Sequence, residues 1–125
     1  MTEEIDSCEI KMTEDYLKSY RINGKLLRLE RYEREYFGES DTVDFESLGE
    51  VPLARARMYA VRHLINSLAN CDEKLFLYYH YIKGEGVERC GELLGVSRSS
   101  AFRMKKRAHV MAARALRERR RLEAD

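Results

Sequence analysis

The chain has 125 residues, 44 % hydrophobic and 36 % charged, with one Pro, no Trp and a formal net charge of +1. Charged residues exceed the globular average of about a quarter and turn formers are few, which excludes a Gly- and Pro-rich β-sandwich and predicts an all-α fold; no apolar run approaches the roughly 18 residues of a membrane span. The small net charge conceals two opposite halves: residues 1–50 hold 7 Lys/Arg against 14 Asp/Glu, a net of −7, and residues 51–125 hold 16 against 8, a net of +8.

Residues 1–12 read as loosely attached. Thr13 predicts a cap for a helix reaching about Phe37, with Tyr16, Tyr20, Ile22, Leu26, Leu29, Tyr32 and Tyr36 facing inward at steps that are mostly three or four. Gly24 costs about 1 kcal/mol relative to Ala in a helix interior. Two helices with a joint near Asn23-Gly24 are therefore an alternative. The stretch GESDTVDFESLGEV (38–51) is acidic and turn-rich and predicts a long linking loop. Pro52 suits the first turn of a second helix reaching about Asn70. Its apolar residues Met58, Val61, Ile65 and Leu68 form a narrow seam like that of a coiled coil. The two helices are expected to pair as a hairpin, with a second subunit, or both. The seam is the candidate interface of a homodimer.

DEKLFLYYHYI (72–82) reads as a helix capped by Asp72, with Leu75, Phe76, Tyr79 and Ile82 on one side. KGEG (83–86) is a turn. VERCGELL (87–94) is a short helix with Val87, Cys90, Gly91 and Leu94 on one face. Gly95 stands where a helix end needs a left-handed residue, and Ser97 is a strong cap for the next helix. In that helix Ala101, Met104 and Ala108 point inward at i, i+3 and i+7. A short helix, a Gly turn, an apolar plug at Val96 and a capped second helix predict a helix-turn-helix. Residues 96–121 carry 10 Lys/Arg against one Glu, a net of +9, which predicts a polyanion partner. Arg98, Ser99, Phe102 and Arg103 face outward and are the candidate readers of base edges in double-stranded DNA. Ser97, Ser100, Lys105, Lys106 and Arg107 are the candidate phosphate contacts.

VERCGELLGVSRSSAFRMKKRA resembles the helix-turn-helix of sigma factor region 4. The longer stretch LFLYYHYIKGEGVERCGELLGVSRSSAFRMKKRAHVMAARAL is similar to phage and prophage late-gene regulators of the ArpU/RinA type. The resemblance covers residues 72–116. It implies a sequence-specific transcription regulator that places Arg98, Ser99, Phe102 and Arg103 in the major groove. Gly91 departs from the usual Ala and Cys90 from the usual aliphatic. The expected architecture is an acidic N-terminal helical region and linker (1–50), a connecting or dimerisation helix (51–71) and a helix-turn-helix with a basic C-terminal helix (72–125). Two alternatives share the motif: a small terminase-like packaging subunit, and a protein-interaction module that binds RNA polymerase or a sigma partner.

The remaining polar residues predict no catalysis, no cofactor and no metal. His63, His80 and His109 lack carboxylate or Cys partners at site spacing and read as surface or packing residues. Cys8, Cys71 and Cys90 lie far apart with no C-x-x-C pair, and the opening MTEEIDSCEI lacks the apolar stretch of a secretory leader, so a cytoplasmic protein is expected. Tyr78, Tyr79 and Tyr81 read as packing residues. The RERRR run (117–121) reads equally as a nucleic-acid arm or a solvated helix end.

Overall fold

Asp6 starts the first helix. Its carboxylate accepts the Glu9 amide at 2.8 Å and its carbonyl accepts the Ile10 amide at 3.1 Å. Helix α1 then runs from Ser7 to Phe37. The computed structural model describes residues 4–37 and 50–124, and these are all-α. Helix α1 begins six residues before the expected cap. Thr13 is instead buried at 2 % exposure, and its hydroxyl donates to the Glu9 carbonyl at 2.8 Å. Residues 7–12, expected to be loose, belong to the helix. No joint forms at Asn23-Gly24. The Asn23 side-chain amide donates to the Ser19 carbonyl at 2.8 Å, and Gly24 faces Met58, whose Cε would stand in ordinary contact, 3.5 Å, with a Cβ there.

The register of α1 also differs from expectation. Leu17 is fully buried, and Tyr16 and Tyr20 pack against the same core. Ile22, Leu26, Leu29, Tyr32 and Tyr36 are exposed. The helix carries apolar residues on two faces, and only one of them turns inward. A single-stripe reading merges the two.

Helix α2 (Glu50–Ser67) has Pro52 in its first turn, where a missing amide is harmless. It ends three residues before Asn70. Lys74 pins the connection that follows, donating to the Asn66 carbonyl and the Asn70 side chain, each at 3.0 Å. Its expected seam faces the chain's own interior. Val61 and Ile65 are at most 1 % exposed and Leu68 is 8 % exposed, in one cluster with Leu17, Phe76 and Met104. Met58 is half-buried near Gly24. These four residues belong to the protomer's core and its hairpin. They are not available to a second subunit, which corrects their assignment as a dimer interface. The expected boundary loop, residues 38–51, lies outside the described residues up to position 49.

Helix α3 (Asp72–Leu77) passes into a π-helical turn, Tyr78–Ile82. The Lys83 amide reaches the Tyr78 carbonyl at 3.1 Å, a step of five rather than four. The N-cap is Cys71, with no side-chain bond, rather than Asp72. Phe76 and Leu77 of α3 and Tyr81 of the π turn are buried, while Leu75, expected on the same side as Phe76, is exposed. Helices α4 (Val87–Leu94) and α5 (Arg98–Ala124) complete the chain.

One core joins all these pieces. Leu17 of α1, Leu64 of α2, Phe76 of α3, Cys90 of α4, and Met104 and Leu116 of α5 belong to a single buried cluster. Both boundaries expected near residues 50 and 71 are crossed by this core. Fully burying a side chain such as Phe76 stabilises by roughly 1.5–3 kcal/mol, so the N-terminal helices contribute directly to holding α4 and α5.

Candidate nucleic-acid interface

The turn between α4 and α5 is built from three residues with separate tasks. Gly95 adopts a left-handed φ of +73°, and its amide donates to the Glu92 carbonyl at 3.2 Å. A Cβ at that φ would cost roughly 1–2 kcal/mol. The Val96 amide donates to the Gly91 carbonyl at 2.9 Å, and Val96 packs on the core. Ser97 caps α5: its hydroxyl accepts the Ser100 amide at 3.2 Å and its carbonyl accepts the Ala101 amide at 2.8 Å. The helices cross at Gly91. A Cβ there would stand 2.8 Å from the Cβ of Ala101, closer than carbon atoms pack. Ala101, Met104 and Ala108 are buried at 0, 4 and 0 % exposure, as the i, i+3, i+7 spacing requires.

Burying that face turns the other outward. Arg98, Ser99, Phe102 and Arg103, the four expected base readers, are all exposed on the first turns of α5. Phe102 keeps 43 % of its surface, with the Arg98 guanidinium 6.0 Å from its ring centre. The ring is one wall of a shallow groove of about 490 Å³ that Ile10 of α1 and Lys106 and Val110 of α5 also line. Of the expected phosphate contacts, Ser97 and Lys106 are exposed and Ser100 and Lys105 are half-buried. The Ser100 hydroxyl already accepts from Arg103 at 3.0 Å. Arg107 is exposed but engaged: its Nε donates to the Glu73 carboxylate at 3.0 Å. That hydrogen bond is the main reason the Glu73 carboxyl is held below its ordinary range.

Two acidic partners of this face escape a sequence reading. Glu73 holds Arg107 from α3, and Glu88 of α4 pairs with Arg98 at 3.0 Å. Glu73 lies 34 positions from its partner and in a first turn where an acid needs no other explanation, and Glu88 lies ten positions from Arg98 on the other side of the α4–α5 turn. Arg98 and Glu88 remain 75 % and 62 % exposed at their side chains, so the pair is weak and opens readily to a stronger anion.

His109 lies beneath the same groove at 3 % exposure. With its proton on Nδ1, towards the Glu14 carboxylate at 3.5 Å, its Nε2 accepts from the buried Tyr81 hydroxyl. Burial depresses the imidazole to about 4 and pushes the Tyr81 hydroxyl up, so both are neutral near pH 7. The expected packing role of His109 thus takes a specific form, a buried polar link among α1, the π turn and α5. His80 bonds the Glu85 carbonyl through Nδ1 at 2.7 Å, and His63 accepts from Arg119 at 3.1 Å.

The arginine run is divided. Arg117 grips the Glu9 carboxylate through Nε at 2.9 Å and through a second N–H. Arg119 donates to the Ala60 carbonyl at 3.2 Å, to His63 and to the Tyr16 hydroxyl at 3.3 Å. These two side chains fasten α5 to α1 and α2. Among the described residues, no His, Cys, Asp and Glu gather as a metal would need. Among the same residues, no helix is long and apolar enough to cross a membrane. In comparisons with protein-family models, curated proteins and solved structures, the chain matched none.

Proposed function

We propose that this chain binds double-stranded DNA in a sequence-specific way and regulates transcription, with the first turns of α5 entering the major groove. The observation that carries this reading is the outward set Arg98, Ser99, Phe102 and Arg103 on a helix that Ser97 caps and Gly91 seats closely against α4. An α-helix fits the major groove, Arg forks onto guanine O6 and N7, and an apolar ring suits the thymine methyl. Lys105 and Lys106 flank the set and suit phosphates, as do the amides at the capped helix start. Arg98 gives up an exposed carboxylate partner for a phosphate or a base at little cost. The resemblance of residues 87–108 to sigma region 4, and of the longer stretch within 72–116 to ArpU/RinA-type regulators, agrees with this reading.

The test is binding to duplexes from the flanking genomic DNA against shuffled duplexes at two salt concentrations. Arg103→Ala is expected to lose about 10- to 100-fold of the preference for one genomic fragment, the range of one good base contact. Its affinity for shuffled DNA should change far less. Failure to bind either duplex at about 50 mM salt, where phosphate contacts are strong, overturns the reading.

A further inference from the structure

We propose that α1 is part of the DNA-binding surface, with Lys18 and Arg21 holding phosphates of the strand that borders the groove α5 enters. The proposal rests on the DNA reading of α5 and adds a second element that serves it. Glu9 meets Arg117 and Glu14 meets His109, so α1 advances along α5 towards its first turns. Lys18 stands one helical turn beyond Glu14 on the same face. Burial lowers the His80 and His109 imidazoles most, and the ammonium groups of Lys105 and Lys18 lower both further, so the two lysines lie near the same pair of rings. Lys105 and Lys106 line the groove that has Phe102 as a wall. The Arg21 guanidinium lies so close over Gly84 that a Cβ there would collide with it. Gly84 stands three residues ahead of Val87, the start of α4. In a helix-turn-helix the first helix crosses the DNA backbone, and in the DNA reading that helix is α4.

Charge and availability choose the partner. Lys18, Arg21 and Lys106 are exposed and Lys105 is half-buried. Among the described residues none of these four pairs with a carboxylate. Upstream on α1 the cation Lys11 is taken by Asp15 at 2.9 Å, and across from it Arg117 is taken by Glu9. The acids of the adjoining segments are Glu14, turned to His109, and Glu85, which shares its turn with Lys83. Lys18, Arg21, Lys83, Lys105 and Lys106 thus stand against Glu14 and Glu85, five cations to two acids. The net charge of the N-terminal half conceals this patch, because α1 and α5 each supply part of it.

The spacing suits a duplex. Packed helices lie about 8–10 Å apart and the major groove is about 12 Å wide, so a helix beside the one in the groove meets the bordering backbone. Lysine serves a phosphate there as a point charge, and arginine forks onto it.

Fluorescence anisotropy of the full chain on a shuffled duplex, from roughly 50 to 200 mM salt, tests the proposal, since phosphate contacts act on any sequence. Lys18→Ala and Arg21→Ala should each lower the slope of log affinity against log salt by about 1, and the double variant by about 2. The preference for genomic over shuffled duplex should keep the wild-type ratio, unlike that of Arg103→Ala. Lys18→Arg should keep the wild-type slope. Arg114→Ala removes an exposed cation about 24 Å along α5 from Arg98 and should keep it too. Circular dichroism checks folding, and Arg21→Gln, which keeps a stem over Gly84, replaces Arg21→Ala should that variant unfold. A wild type that binds DNA while folded Lys18 and Arg21 variants keep its slope overturns the proposal and leaves the reading of α5 standing. An equal loss in Arg114→Ala also overturns it, because net charge alone would then explain the effect. A wild type that binds no duplex overturns both.

Discussion

The two halves of α5 use the same residue type in opposite ways. In the first half Arg98 and Arg103 stand exposed, Arg98 beside a surface glutamate and the Phe102 ring and Arg103 bonded to a neighbouring serine. In the second half Arg117 and Arg119 turn inward onto Glu9, Tyr16, His63 and the Ala60 carbonyl. A net of +9 over residues 96–121 therefore overstates the cationic face available to a ligand. What decides a cation's role is whether another helix end lies within its reach, and the sequence around it says little about that.

His109 sits between the halves and gives the largest test of how they are joined. Its folded value of about 4 lies below the roughly 6.5 of an unfolded histidine, so between those pH values the unfolded chain holds the extra proton. Stability should therefore rise with pH across that window and be lost as pH falls from 6.5 towards 4. The expected loss is on the order of 2–3 kcal/mol. His80 is shifted the same way by burial and adds to the slope. Urea midpoints at pH 7 and pH 4.5 measure it, and His109→Gln should flatten the difference.

The next effect separates the two arginine classes directly. Arg119→Ala should lower stability by about 1–3 kcal/mol, the range for bonds from a charged donor, here to the half-buried Tyr16 and Ala60 and the exposed His63. Arg103→Ala should change it by less than about 0.5 kcal/mol, as exposed positions do. Thermal melts of the two variants side by side give the comparison. Equal losses would mean that the outward face is as structural as the inward one. The smallest effect belongs to the salt dependence of DNA binding. Lys106→Ala should reduce the slope of log affinity against log salt by about 1, the loss of one phosphate contact. Arg117→Ala should leave that slope unchanged.

The α4–α5 unit was readable in sequence because its determinants are local. Gly91, Gly95, Ser97 and Ala101 lie within eleven residues, and each acts through backbone shape or immediate contact. The all-α class followed from composition alone. The inner register of α1 was not readable. Its two apolar faces overlap in a single pattern, and only the placement of α2 says which one is core. The seam on α2 was recognised as apolar, but periodicity cannot tell a core that closes within one chain from one that closes between two. The inward arginines were hidden for a similar reason, because Arg117 and Glu9 are 108 positions apart. The outward set on α5 was legible residue by residue, while Glu73 and Glu88, which temper its charge, were not.

The π turn at Tyr78–Ile82 acts as a phase shifter. Each residue inserted into a helix rotates everything beyond it by about 100°. Here the widened turn takes in one residue more than α-helical turns would, and the chain leaves it towards Gly84 with the Tyr81 hydroxyl bonded to His109. Removing one residue from this stretch would leave a regular α-helix with all its backbone bonds satisfied. It would also carry the Tyr81 hydroxyl away from the imidazole and re-aim the turn that leads to α4. The bearing of α4 and α5 on the rest of the molecule is thus set by the residue count between Leu77 and Lys83 as much as by the packing around them.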